Sequence, residues 1–335
     1  MSDLPPPAGV MQVLMGVMNS AAVSATARLG IPDHLHSGPK TVEELAHAVG
    51  AKPELLFRLM RAAAGLGILA QTPDGKWQQT PMSEVLRSNA PETLRHFACL
   101  ISEDWHVRAL GSLDQTVRTG EPATDRIYGM PVFAFLEKDQ KSAETFNRAM
   151  TSFSTVEAPI IAKSYDFSAI RSLTDIGGGQ GLFLATILER YPNMTGTLFE
   201  LPQVVDGLVD GPLEPFRNRI RVLAGDMFKS VPPGADVYIM KRIVHDWSDE
   251  QCKKVLSLCR AGITDGGRLL VVDSVVPADA KYHPSKVMDL VMMLFSGGKE
   301  RTEQEFNALF GVSGWRINRI IPTGSPLSII EGVPG

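Results

Sequence analysis

Asp175-Ile-Gly-Gly-Gly-Gln-Gly181 follows an apolar run ending in Leu173 and Ile176 and precedes Leu182-Phe-Leu-Ala-Thr-Ile-Leu-Glu-Arg190, which reads as a helix. A glycine-rich turn between a strand and a helix lets a nucleotide-like ligand approach the backbone closely. A dinucleotide fingerprint would read G-x-G-x-x-G. Gly177 and Gly179 fit it, but Leu182 stands where the third glycine belongs and Gly181 comes one residue early. Asp175 adds a carboxylate ahead of the turn, which suits a cationic ammonium better than a pyrophosphate. The next apolar segment, Thr195-Gly-Thr-Leu-Phe-Glu200, ends in an acid able to hold ribose hydroxyls. A D-x-G-x-G-x-G turn with a second acid about twenty residues on points to S-adenosylmethionine rather than NAD.

Composition narrows the field. A chain of 335 residues is long for one domain. A net charge of −4 argues against a general role on nucleic acid or at a membrane surface. Cys99, Cys252 and Cys259 fit no disulfide or metal spacing and read as helix or core positions in a reducing, cytoplasmic setting. Met1-Ser-Asp-Leu-Pro-Pro-Pro7 lacks the basic and apolar regions of a signal peptide. No apolar run reads as long enough to cross a bilayer.

Three regions follow: residues 1–100, helical with a winged-helix layout; 101–165, a helical linker and acceptor-pocket region; and 166–335, a doubly wound α/β domain. Val10 to Leu29 is apolar around too much of its circumference to stand alone in water. Thr41-Val-Glu-Glu44 is a capping box, and Pro53 opens the following helix. Asp74-Gly75 predicts a hairpin with a two-residue turn. Helices continue from about Glu92 to Lys163, with interruptions at Gly120-Glu-Pro122 and Gly129-Met-Pro131. Beyond them strands are expected near 171–176, 195–200, 219–224, 236–241 and 268–274, with a final pair at 315–321 and 327–331 whose last member is antiparallel. That is a seven-stranded sheet with its ligands at the carboxyl ends of the strands.

Those ends carry reactive groups. Asp226 lies in Gly225-Asp-Met-Phe228, where an acid beside Met227 can bind an adenine amino group under an apolar lid; the alternative is a loop Asp capping its own turn. Lys241-Arg-Ile-Val-His245-Asp-Trp247 puts His245 on a loop before a helix that Ser248-Asp-Glu-Gln251 caps. Asp273 ends the next strand, and Glu300 lies in Gly297-Gly-Lys-Glu-Arg-Thr302. Either acid could accept a proton from one imidazole nitrogen and leave the other as a base.

Four segments together carry a family resemblance: Asp175–Gly181, Gly225–Phe228, His245-Asp-Trp-Ser-Asp249 and Gly297–Thr302. The chain resembles the plant- and bacterial-type small-molecule O-methyltransferases, a group that includes the caffeic acid, acetylserotonin and phenazine enzymes. Lys40–Ala46 and Val117–Pro122 extend the likeness over nearly the whole chain. The resemblance implies His245 as general base flanked by Asp273 and Glu300. It implies Asp175, Gly177, Gly179, Gly181, Glu200, Asp226, Met227 and Lys241 as cofactor residues. It further implies Met150, Phe153, Met292 and Trp105 near the acceptor and a homodimer joined through the N-terminal region. Glu200 stands where the family commonly has Asp, and Arg242 where plant members have an aromatic residue, so a plant-type acceptor does not follow.

The expected reaction is transfer of a methyl group to a hydroxyl of a small aromatic molecule, with no metal required. Two rivals from other classes are weaker. A winged-helix DNA-binding regulator would need a denser basic face, because Lys40, Lys52, Arg58, Arg61, Lys76 and Arg87 are nearly matched by Glu43, Glu44, Glu54, Asp74 and Glu84. An NAD-dependent oxidoreductase is disfavoured by Leu182 and Asp175. A relative drifted to decarboxylation or hydroxylation, with S-adenosylmethionine as bystander, would not need His245 and Glu300 together.

Overall fold

The computed structural model describes residues 4–206, 208 and 211–335, so Met1-Ser-Asp3 of the N-terminal reading lies outside the described residues. The chain divides into two compact units: 1–108 with 139–155, and 109–138 with 156–335. The stretch 101–165 is thus shared between them, and helix Gln140–Ser164 contributes to both.

The first unit is helical apart from one hairpin. Thr41 and Glu44 make the reciprocal capping-box bonds that start helix Val42–Val49, and Gly50 ends it in the left-handed conformation. Pro53 begins helix Pro53–Gly65. Strands β1 (Leu69–Gln71) and β2 (Trp77–Gln79) then pair antiparallel. Their connection is not the expected two-residue turn. Thr72 N–H donates to Lys76 O at 2.8 Å and Gly75 N–H to Thr72 O at 2.9 Å, so Pro73-Asp74-Gly75 is a three-residue loop with Gly75 at φ 81°. Pro73 suits the first corner of a type I turn, and the glycine then bulges back into the strand. Ile31, Leu45, Leu56, Met60 and Trp77 form the core of this unit.

One expectation needs correction. Pro6–Arg28 spans 23 residues and holds an 18-residue window of mean hydropathy 1.3, long and apolar enough to cross a membrane by length and composition. The sequence reading missed it because Asn19, Ser20 and Ser24 interrupt the apolar run. The second part of this helix, Gly16–Arg28, buries Ser24, Thr26 and Ala27 within the first unit, as a helix covered by protein does. Val10, Met11, Val13, Leu14, Met15, Val17 and Met18 remain exposed.

In the second unit, β3 (Ser172–Ile176), β4 (Thr195–Glu200), β5 (Ile220–Ala224), β6 (Val237–Lys241) and β7 (Arg268–Asp273) are parallel. Strands β8 (Trp315–Pro322) and β9 (Ser328–Pro334) complete a seven-stranded sheet of order β5-β4-β3-β6-β7-β9-β8. As expected, β9 is antiparallel; it pairs with both β7 and β8. The chain runs outward from β3 to β5, then crosses back to β6 on the other side of β3, so a crevice opens where the carboxyl ends of β3 and β6 diverge.

Strand residues alternate between two cores, as a period of two demands. Leu173, Val237, Ile239, Leu270 and Val272 pack with Leu184, Ile187 and Leu188 on one face. Ile176, Tyr238, Met240, Leu269 and Val271 pack with Leu256, Phe306 and Phe310 on the other. Helices cover both faces, which is why the strands read as nearly continuous apolar runs.

Candidate active site

Asp175, Glu200, Asp226 and Asp273 lie at or just past the carboxyl end of a strand in the second unit, and Glu300 lies in the loop between helices Pro284–Phe295 and Glu303–Val312. The turn after β3 takes its shape from glycine: φ is 69° at Gly177, 58° at Gly179 and 77° at Gly181. A Cβ at Gly178 would lie 2.5 Å from Asp175 Oδ2, whereas one at Gly179 would meet nothing within 4 Å. The turn is therefore tight against Asp175 and open at Gly179. Asp175 is buried, and neither of its carboxylate oxygens has a hydrogen-bond partner. Burial pushes its pKa up to about 7, against the pull of Lys241. Glu200, at the end of β4, accepts Gly179 N–H at 3.2 Å and Leu201 N–H at 2.6 Å. Burial raises its pKa despite those bonds.

Asp226 caps its own turn by accepting Phe228 N–H at 2.9 Å, and Lys229 stands 3.3 Å from its other oxygen. Asp226 thus caps its own turn while its side chain stays one-third exposed. Met227 packs against the core.

Past β6 the backbone turns sharply. Arg242 has φ 56° and is the one non-glycine residue with positive φ among those described. Its N–H donates to Val272 O at 3.0 Å, and its guanidinium grips Glu157 at 3.1 and 2.5 Å. Lys241 Nζ lies 3.8 Å from the same carboxylate, and burial lowers its pKa.

His245 follows in a short helical turn, Val244–Asp246, and is buried. Its Nδ1 lies 2.8 Å from Glu300 Oε1. An ionised carboxylate only accepts, so whenever Glu300 is ionised this bond requires the proton on Nδ1 and leaves Nε2 its lone pair. Of the two acids weighed from the sequence, Glu300 makes this bond; both oxygens of buried Asp273 lack a hydrogen-bond partner. Burial pushes Glu300 up to about 7 and Asp273 to about 6, with Arg242 opposing both rises.

Asp246 was missed. Its Oδ1 is 3.9 Å from His245 Nε2, and burial pushes its pKa up to about 6. The available signal was the acid following His245 at a strand exit. Glu157 carried no signal, since it sits mid-helix with no motif around it. Met150, Phe153 and Trp105 belong to the first unit and Met292 to the second. Trp105 is buried, and Phe153 packs its ring against Phe97 at 4.6 Å. Among the described residues no group of three or more His, Cys, Asp and Glu is placed to hold a metal ion.

A family model for the O-methyltransferase domain matches residues 110–316, and one for the O-methyltransferase dimerisation domain matches 11–89. The chain belongs to the O-methyltransferase family. It is similar to phenazine O-methyltransferase from Lysobacter antibioticus, with 35% identity over 97% of this chain and 95% of the relative. A methyltransferase of calicheamicin biosynthesis, solved in its S-adenosylhomocysteine-bound form, superposes with TM-score 0.87 and 33% identity, covering all of both chains. A neocarzinostatin-biosynthesis O-methyltransferase, solved with S-adenosylmethionine and 2-hydroxy-5-methyl naphthoic acid, superposes with TM-score 0.78 and 28% identity over 94% of this chain and 96% of that one.

This O-methyltransferase is S-adenosylmethionine-dependent, and its own residues fit that cofactor. Asp175 offers two buried oxygens without partners, Gly179 leaves open space, and Glu200 offers a carboxylate at the end of the neighbouring strand. Anionic groups in that arrangement suit a ligand carrying an ammonium and ribose hydroxyls.

Proposed function

We propose that this O-methyltransferase methylates a hydroxyl of a small aromatic acceptor, with His245 as general base. The carrying observation is the buried 2.8 Å contact of His245 Nδ1 with Glu300, which leaves Nε2 as an acceptor at the carboxyl edge of the sheet. Asp175, Gly177, Gly179, Gly181, Glu200, Asp226, Met227 and Lys241 would hold S-adenosylmethionine. That cofactor supplies an activated methyl group when bound. What the protein must add is alignment and removal of the acceptor proton. A phenol holds its proton to a pKa of about 10 and is a poor nucleophile until it is lost. His245 Nε2 takes that proton, and Glu300 stabilises the imidazolium that results. Met292 shares a helix face with Asp289, which accepts the Glu300 N–H at 2.9 Å, and from there would supply an apolar wall to the acceptor pocket. An aromatic acceptor is supported by the relatives, one named for phenazine and one solved with a naphthoic acid.

The dimerisation-domain match and the exposed apolar residues from Val10 to Met18 support a homodimer.

The deciding experiment is His245→Ala. Calorimetric affinity for S-adenosylhomocysteine should stay unchanged while kcat on an active hydroxylated aromatic falls by roughly 10²–10⁴-fold, the size of a general-base contribution. A variant that keeps most of its rate would mean that alignment alone suffices and that His245 has no such role.

A further inference from the structure

We propose that Arg301 is a positioning residue that locks the His245 turn, the Glu300 loop and the exit of β7 into one register; this rests on the reading of His245 as base. Arg301 is only 1% exposed, and an unpaired guanidinium could not be buried there without a large desolvation cost. Every N–H of that group has an acceptor. Nη1 donates to Val244 O at 2.8 Å and to Lys299 O at 3.3 Å. Nη2 donates to Trp247 O at 2.9 Å and to Asp249 Oδ1 at 2.8 Å, and Nε reaches the same oxygen at 2.9 Å. Val244 and Trp247 bracket His245-Asp246, so one planar group holds the backbone on both sides of the imidazole. Asp249 is in the first turn of helix Asp249–Gly262, which carries the grip into a rigid element.

The backbone of Arg301 makes the third connection. It bridges to Val275, and its O accepts Val276 N–H at 2.9 Å, which ties it to the chain leaving β7 just after Asp273. Glu300 is the preceding residue, so its backbone cannot shift relative to His245 without disturbing this clamp. Gly298 fits the same design: a Cβ there would collide with His245 O and with the Asp246 backbone. The two loops therefore meet backbone to backbone, and the guanidinium fork fastens the seam.

A fork is needed because the acceptors lie in different directions. An ammonium keeps the charge but is a single point and cannot span them. Arg301→Lys therefore separates geometry from charge. It should lower kcat on the order of 10- to 100-fold, the scale of a misplaced catalytic group, with KM for the cofactor unchanged. In 15N-histidine-labelled protein, the downfield proton of His245 Nδ1–H, assigned by its loss in His245→Ala, should move upfield or broaden. Asp249→Asn weakens one end of the fork by exchanging the carboxylate for a neutral amide oxygen while leaving the guanidinium in place, and should do the same to a smaller degree. It keeps the proposal open to test if Arg301→Lys does not fold. A folded Arg301→Lys, or failing that a folded Asp249→Asn, with wild-type kcat and an unmoved resonance would overturn the proposal. The resonance reports on the His245–Glu300 bond whether or not His245 is the base, so failure of the clamp and failure of the general-base reading are distinguishable.

Discussion

At the scale of single residues, the acids around His245 divide by what they touch. Glu300 is bonded to Nδ1, whereas Asp273 is buried without a hydrogen-bond partner. Glu300→Gln removes the charge opposite the imidazolium and should cost more in kcat than Asp273→Asn; equal losses from steady-state kinetics would contradict the assigned pairing. Asp175 gives a pH test. Its folded-state pKa is about 7, above its ordinary value of 3.8, so the empty protein is protonated there below neutrality. A cation needs the ionised form, so affinity for S-adenosylmethionine should weaken as pH falls through about 7. Stability of the empty protein should fall as pH rises between those two values, because the folded state holds a proton that the unfolded chain has lost. Asp175→Asn should flatten both trends. Calorimetry and thermal melts across pH check this, and a wild-type affinity flat through neutrality would remove Asp175 from the cofactor's ammonium. The acids at strand ends were legible in the sequence because a parallel sheet puts its ligands there. The choice between Asp273 and Glu300 was not, since both lie far from His245 in the chain and only packing decides which reaches Nδ1.

At the scale of elements, local chemistry was the most readable. The capping boxes of Thr41 and Ser248 each start a helix where the motif stood. The hairpin loop was misjudged by one residue, because Asp-Gly serves either turn and Pro73 decides for the longer one. Strand β9 holds a feature with no local signature. Glu331 is fully buried within it and accepts from Tyr165 Oη at 2.6 Å, Arg268 at 3.2 Å, Arg319 at 3.1 Å and Asn318 at 2.5 Å. Burial alone would raise its pKa, but these donors hold it below the usual carboxylate value. The sign follows: its stabilisation is present above the unfolded pKa and is lost as pH falls through the folded one. Glu331→Gln should lower unfolding free energy by about 1.5–3 kcal/mol, the range for a hydrogen bond to a charged group, with Arg268 and Arg319 partly re-solvated at their half-exposed positions. Denaturant titration measures this, and S-adenosylhomocysteine affinity should be unaffected because Glu331 pairs with Leu270 in the middle of β7, away from its carboxyl end. A stability unchanged within error would show that the cluster is energetically neutral.

At the scale of the whole molecule, the N-terminal helical stretch decides whether the chain works alone. Val10, Met11, Val13, Leu14, Met15, Val17 and Met18 are 46–76% exposed, a run of large apolar side chains that water disfavours. Each such side chain contributes about 1.5–3 kcal/mol when fully buried, before the entropy of ordering. Length and hydropathy alone would also fit a bilayer, but residues 11–89 match a dimerisation domain and the second part of the helix is already packed within its unit. A second copy of the chain is the cover that both observations favour, with Met11, Leu14, Met15 and Met18 at the contact. Deleting residues up to Gly30 should therefore give aggregated or inactive protein, although the proposed base and cofactor residues all lie beyond residue 170. Met11→Glu with Leu14→Glu should shift the intact chain towards monomer in light scattering without weakening S-adenosylhomocysteine binding. If the truncated chain is a well-behaved monomer with full methyl-transfer activity, the segment is dispensable and the dimer has no part in the reaction.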